Sequence, residues 1–134
     1  MGTIREAARA AYEVEERRSQ IEAEKQFLCF ADAFSTVLRN ALGMEIPAGK
    51  MQRRTSDPPM PFYVEDDIRF EPIPIYEGNT LSGVLADGVS AMLMCPGCHA
   101  DLWGGAVYGL ADLGDRLREA EARQKQFHSG CVTR

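Results

Sequence analysis

Several features that would place a protein in a familiar class are missing from this sequence. It has no stretch of about 18 consecutive apolar residues, so no transmembrane helix is predicted. Residues 1–18 are charged throughout and contain no apolar signal core, which predicts a cytoplasmic protein. The motifs GxSxG, HExxH and GxGxxG and the P-loop are absent, and we therefore expect a protein that is not an enzyme.

Clusters of basic residues are scarce as well. The chain carries 15 basic and 20 acidic residues, a net charge of −5, and residues 55–89 hold seven acidic residues against one basic residue. The one basic cluster contains Lys50, Arg53 and Arg54, and no aromatic residues interleave with it. This composition argues against nucleic acid as a partner. A zinc-ribbon protein that binds nucleic acid through these three residues is kept as an alternative.

The first third of the chain lacks the residues that end helices. Proline is absent from residues 4–42, glycine is absent between residue 2 and Gly43, and helix-forming residues dominate the first half. We therefore predict one long helix over residues 1–43 with a glycine cap. Its second half is expected to dock on the rest of the protein, with Cys29 as a core thiol. The residues predicted to form the docking cluster are Phe27, Leu28, Ala31, Phe34, Val37, Leu38 and Leu42.

A sparser apolar pattern runs along the first half of this helix. Val14, Ile21 and Leu28 are seven residues apart, like one row of a coiled-coil seam, but Arg17 and Glu24 occupy the matching row. The helix either is solvated and docks only near its end, or pairs with another helix. Its length would be about 57 Å, whereas a domain of this size has a radius of gyration near 14 Å. We predict a homodimer or a protein partner on this face, with the two charged residues paired across an antiparallel seam.

The remainder of the chain is expected to contain a loop and a small sheet. Prolines prevent regular pairing in residues 44–61, which predicts a proline-rich loop. Residues 62–134 are predicted to be β-rich and to end in a helix. We expect the whole chain, residues 1–134, to be a single domain.

Turn residues and periodicity suggest the details of the β-rich region. Asp87-Gly88 separates two apolar runs, which predicts a hairpin turn, and Leu102–Tyr108 is a further predicted strand. Helical spacing returns in residues 110–127. The predicted fold class is therefore α+β, with a long N-terminal helix, a small antiparallel sheet and a C-terminal helix.

The most specific pattern in the sequence is a pair of ligand pairs. Cys95 and Cys98 flank Pro-Gly in a tight turn, and His128 and Cys131 form a second pair with two-residue spacing thirty residues later. Together they match a closed Cys3His zinc site, which would be structural because four protein ligands leave no position for water. Over residues 90–131 the pattern resembles zinc-knuckle and treble-clef modules, but its second pair lies at the end of a helix.

Three other interpretations of these residues remain open. The CPGC segment could be a redox dithiol, although the residues after it are a poor start for a helix. Cys95 to His99 also matches the CxxCH pattern of haem c attachment, which normally requires export. Finally, His99 could replace His128 as the fourth zinc ligand.

These patterns together predict a non-enzymatic zinc-binding protein that acts in protein interaction or assembly. The alternatives are a nucleic-acid-binding zinc ribbon and a CxxC dithiol oxidoreductase. The small size and acidic charge would suit a phage or mobile-element factor that binds a host protein.

Overall fold

The computed structural model describes residues 2–56, 59–128 and 130–131. Within them the chain forms a long N-terminal helix, a five-stranded antiparallel sheet and a C-terminal helix, which confirms the predicted α+β class. Each strand pairs with the next one along the chain. The helices are α1 (Ile4–Leu42) and α2 (Leu110–Phe127), and the strands are β1 (Gln52–Arg54), β2 (Met60–Glu65), β3 (Ile68–Glu77), β4 (Thr80–Met94) and β5 (Asp101–Val107).

Local hydrogen bonds define both ends of α1. The Thr3 hydroxyl accepts a bond from the Glu6 amide (3.2 Å), and the Glu6 carboxylate accepts one from the Thr3 amide (3.3 Å). This reciprocal capping box satisfies two amides that the first turn would otherwise leave unpaired. At the other end, Gly43 adopts φ 66°, and its amide bonds to the carbonyls of Arg39 and Leu38. The helix therefore ends at the glycine that the sequence indicated.

Only the second half of α1 packs on the sheet. Leu28 is 51% exposed and Cys29 is exposed, so the predictions that Leu28 docks on the rest of the protein and that Cys29 is a core thiol are both wrong. Cys29 lies two residues after the buried Phe27, and a helix turns too far in two residues to keep both on one face. The docked face contains Phe27, Phe30, Ala31, Phe34, Val37, Leu38 and Leu42.

The buried face of the sheet carries a row of apolar residues that packs against the docked face of α1. Phe70 of β3 lies beside Ala91 of β4, and Val89 lies beside Val107 of β5. All four are at most 2% exposed. Because side chains alternate along a strand, this places one apolar face of the sheet against the two helices.

The prediction of a hairpin at Asp87-Gly88 is wrong. β4 is one strand from Thr80 to Met94, although its pairing with β3 is irregular between Val84 and Val89, and the turn that precedes it lies at residues 78–79. Gly88 serves a different purpose, because a Cβ there would lie 2.7 Å from the ring of Tyr108. The glycine allows this ring to pack closely on the strand, a use that a local turn signal cannot distinguish from a hairpin.

The segment predicted as a proline-rich loop contains regular structure, which corrects that prediction. Residues 48–50 form a turn of 3-10 helix, β1 pairs with β2, and β2 begins at Met60 within the predicted loop. Residues 57 and 58 of this segment lie outside the described residues. The sequence did not indicate this pairing, because a proline usually argues against a strand. Here Pro61 is buried within β2 and lies opposite Arg53 of β1.

Among the described residues, neither helix is both long and apolar enough to cross a bilayer.

Candidate metal centre

A closed loop presents the first pair of predicted ligands. Cys95 follows β4 directly; its amide donates to the Ala100 carbonyl (2.8 Å), and its carbonyl accepts from the His99 amide (2.8 Å). His99 itself lies in the left-handed region, with φ 62°. These bonds reverse the chain into β5 and hold Cys95 and Cys98 on one tight loop.

Strand β5 and helix α2 carry the chain back to this loop. The helix can end near the loop only if the segment between them is largely extended, and β5 supplies that extended segment. The guanidinium of Arg123 donates to the Leu102 carbonyl (2.8 Å), while Leu113 and Ala120 of α2 are buried. No local pattern marks Arg123, because its acceptor is 21 residues away in the chain.

The second pair of ligands lies at the end of α2. The His128 amide donates to the Gln124 carbonyl (2.7 Å) as the helix ends, and the Cys131 amide donates to the His128 carbonyl (2.9 Å). The turn therefore directs both residues toward the loop after β4, as the sequence predicted.

The structure brings all four predicted residues together. The sulfur atoms of Cys95, Cys98 and Cys131 and a ring nitrogen of His128 lie within 4.8 Å of one another. His128 Nδ1 is 3.4 Å from the sulfur of Cys98 and 3.8 Å from that of Cys131. A tetrahedral ion with zinc–ligand bonds of about 2.1–2.3 Å would hold its ligands about 3.5–3.8 Å apart. The donor set therefore fits a metal ion, and the group contains His128 rather than His99.

Burial differs across the cluster. Cys95 is fully buried and belongs to the hydrophobic core, Cys131 packs partly against that core, and Cys98 is exposed. An ion bound here would connect the core to the end of α2. With four donors from the protein, it would have no open position for substrate or water.

The thiols also differ in acidity. The pKa of Cys95 lies below its usual value, first because the Cys98 amide bonds to its sulfur, although burial opposes this effect. The pKa of Cys131 is raised to about 11, first by the hydrogen bond with the Cys98 side chain and then by burial. Without a cation, Cys131 is therefore a neutral thiol at pH 7. Because metals bind thiolates, binding would release protons and weaken as the pH falls.

The position of the CPGC segment bears on the redox alternative. In dithiol oxidoreductases the start of a helix lowers the pKa of the attacking thiol. Here the segment is followed by strand β5, and a third thiol and an imidazole lie against the pair. A dithiol redox site needs neither of these additional groups, whereas a tetrahedral metal site needs both.

The basic cluster is largely engaged within the chain. Arg53 is 2.5 Å from the Glu24 carboxylate and stacks over the Phe27 ring at 4.1 Å. Arg54 is 3.1 Å from Glu71, on the other face of the sheet. Two of the three residues proposed to contact nucleic acid are therefore paired with carboxylates of their own chain, although Glu71 is shared with Arg69.

An open groove of about 560 Å³ lies on the sheet face that the helices leave uncovered. Its charged lining residues, Arg54 and Glu71, pair with each other, and most of the other lining residues are apolar or proline. The cluster of Cys95, Cys98, His128 and Cys131 therefore remains the best-defined candidate site in the described part of the chain.

Comparisons of the chain with protein-family models, with curated proteins and with solved structures find no match, so its function has to be argued from its own residues.

Proposed function

We propose that this chain is a non-enzymatic protein-interaction or assembly protein whose fold is held together by one structural zinc ion. The observation that supports the metal is the meeting of three thiols and one imidazole within 4.8 Å. These groups come from segments 30 residues apart in the chain. Soft thiolate ligands in a tetrahedral arrangement suit zinc better than hard cations such as magnesium or calcium.

Protein purified without chelator is expected to contain about one zinc ion per chain, measured by elemental analysis. Cys98→Ser should lower the zinc content, because it removes one of four ligands. His99→Ala is the matched control, because His99 lies in the same loop but outside the cluster. Metal-free wild-type protein would contradict the proposal, and loss of zinc in the His99 variant would revise the ligand set.

The interaction surface that we propose is the helix stripe, defined as Val14, Ile21 and Leu28. These three residues are 54%, 49% and 51% exposed, respectively, although all are large and apolar. Every residue from Gly2 to Glu22 is exposed, so this half of α1 has no packing partner among the residues that the structure describes. Helices in proteins owe most of their stability to the packing of an apolar face. A partner helix on the stripe would supply that packing.

Replacing Val14 and Ile21 together by glutamate is expected to abolish association through α1 while leaving the fold intact. Charges at these positions would have to be desolvated against a partner, whereas in the free chain they would remain in water. Tyr12→Glu is the matched control, because Tyr12 is 68% exposed on the same helix but outside the stripe.

Light scattering of the purified protein and affinity capture from its native host provide the two measurements. If a dimer or a captured partner is lost in the double variant but kept in Tyr12→Glu, the result would support the helix stripe as the interaction surface. A monomer that captures the same proteins with or without the glutamates would show that this half of α1 is only a solvated spacer.

A further inference from the structure

The positions that flank the helix stripe carry an uneven charge. On a helix, the residues three and four positions after a stripe residue lie beside it. Between Val14 and Ile21 these are Arg17 and Arg18, and between Ile21 and Leu28 they are Glu24 and Lys25. After Leu28 they are the buried Ala31 and the exposed Asp32. Three of the five exposed flanking residues are therefore basic and two are acidic, although the chain as a whole is acidic.

One of the two acidic flanking residues, Glu24, is already paired within the chain. Its carboxylate lies 2.5 Å from the guanidinium of Arg53 on β1, which also stacks over Phe27. Both side chains of this pair are about half exposed, and the stacking adds a second contact that holds Arg53 in place. A partner that covers the stripe would meet Arg17, Arg18 and Lys25 along most of its length and Asp32 at its end.

The basic flanking residues have little competition from their own helix. Arg18 lies 3.3 Å from Glu15, but both side chains are about two-thirds exposed, at 67% and 68%. Such exposed pairs contribute little stability and exchange readily for another carboxylate. Among the described residues, Arg17 and Lys25 form no ion pair.

The turns that precede Val14 leave room for close approach. Ala7, Ala10 and Ala11 lie seven, four and three residues before Val14, on the same face, and all are exposed. Small side chains allow another helix to come near the backbone. The stripe and these alanines form a surface about two turns of helix longer than the stripe alone.

A second copy of the chain fits this surface poorly. A parallel two-fold pair would set the basic flanking residues of one copy against the same residues of the other, and like charges that close repel each other. An antiparallel pair could bring Arg17 near Glu24 of the second copy, but each of these two contacts would have to displace Arg53 from Glu24.

We infer that the helix stripe binds an acidic amphipathic helix of a different protein, one with an apolar row flanked by glutamate or aspartate. This inference rests on the proposed function, since it names the partner chemistry of the same surface. Apolar contacts with Val14, Ile21 and Leu28 supply affinity, and carboxylates opposite Arg17, Arg18 and Lys25 select the partner.

Two synthetic amphipathic peptides test the inference on the full-length protein. Both have the same leucine and isoleucine core over about four heptads, but one carries glutamate and the other lysine at every flanking position. Fluorescence anisotropy is expected to show the acidic peptide binding at least about tenfold tighter than the basic one, because several opposite-charge pairs replace like-charge pairs. The preference should diminish as salt is added, because exposed charges are screened.

Variants separate the charges from the apolar contact. Arg18→Glu with Lys25→Glu should reverse the preference toward the basic peptide, whereas Val14→Glu should weaken binding of both peptides. Tyr12→Glu should change neither. Circular dichroism establishes that each variant retains its helix content.

The possible failures are distinguishable. A stripe-dependent homodimer, or equal affinity for the two peptides with loss in Val14→Glu, would overturn the acidic partner and leave the proposed interaction surface standing. Absence of any association that depends on Val14 would overturn both. Preference for the basic peptide in the wild-type protein would show that the flanking charges do not select the partner.

Discussion

Replacing Cys98 by serine is expected to destabilise the protein by at least about 3 kcal/mol, which for a chain of this size lowers the melting temperature by roughly 10 °C. The reason is that zinc binding free energy contributes to folding free energy whenever the unfolded chain has no preformed site. The site joins the buried Cys95 to the end of α2, and α2 buries only Leu113 and Ala120 of its own. Few other contacts would retain the helix.

The effect should be local as well as large. Hydrogen exchange is expected to show α2 losing protection in Cys98→Ser, while the docked half of α1 stays protected because Phe34 and Leu38 are fully buried on the sheet. Cys131→Ser should behave in the same way. Cys29→Ala is the control, because Cys29 is an exposed thiol on α1 and its loss removes little packing. Equal changes in melting temperature at Cys29 and Cys98 would argue against a metal site.

The second large effect is expected at Phe34, the largest fully buried side chain. Phe34→Ala should reduce the free energy of unfolding by about 3–5 kcal/mol, because it removes buried apolar surface and leaves a cavity between α1 and the sheet. Urea unfolding measures this change. Since the exposed half of α1 continues from the docked half, the same substitution should also lower the helix content of residues 4–26.

Leu28→Ala is the matched control for this experiment. Leu28 is on the same helix but is 51% exposed, so its loss should cost less than about 1 kcal/mol of stability. The same substitution should weaken binding of a partner to the helix stripe. If Leu28→Ala and Phe34→Ala destabilised the protein equally, α1 would not dock through the face described above.

The ligands could be recognised from the sequence because each pair is local. Two-residue spacing places Cys95 with Cys98 and His128 with Cys131 before any tertiary contact is considered. The choice between His99 and His128 was not local, since both lie within reach of a cysteine along the chain. It depends on the path of β5 and α2, which carries His128 Nδ1 to 3.4 Å from the Cys98 sulfur.

The errors in the sequence interpretation have different causes. Asp87-Gly88 was predicted as a turn, but Gly88 leaves room for the ring of Tyr108, which directly follows β5. Cys29 was assigned to the core because its neighbours along the chain are apolar, but helix geometry turns it toward solvent. The first error could be avoided only with knowledge of a tertiary contact, whereas the second neglected the period of the helix.

The sequence by itself determined the length of α1, the antiparallel sheet followed by a second helix, and the two ligand pairs, because all of these depend on periodicity, turn residues and short spacing. The tertiary structure decided which half of α1 is buried and which is left exposed. It also decided that Arg53 reaches across to Glu24, which leaves Arg17, Arg18, Lys25 and Asp32 as the other charged residues beside the helix stripe. Contacts between distant segments depend on how the helix crosses the sheet, and no local pattern of residues specifies that crossing.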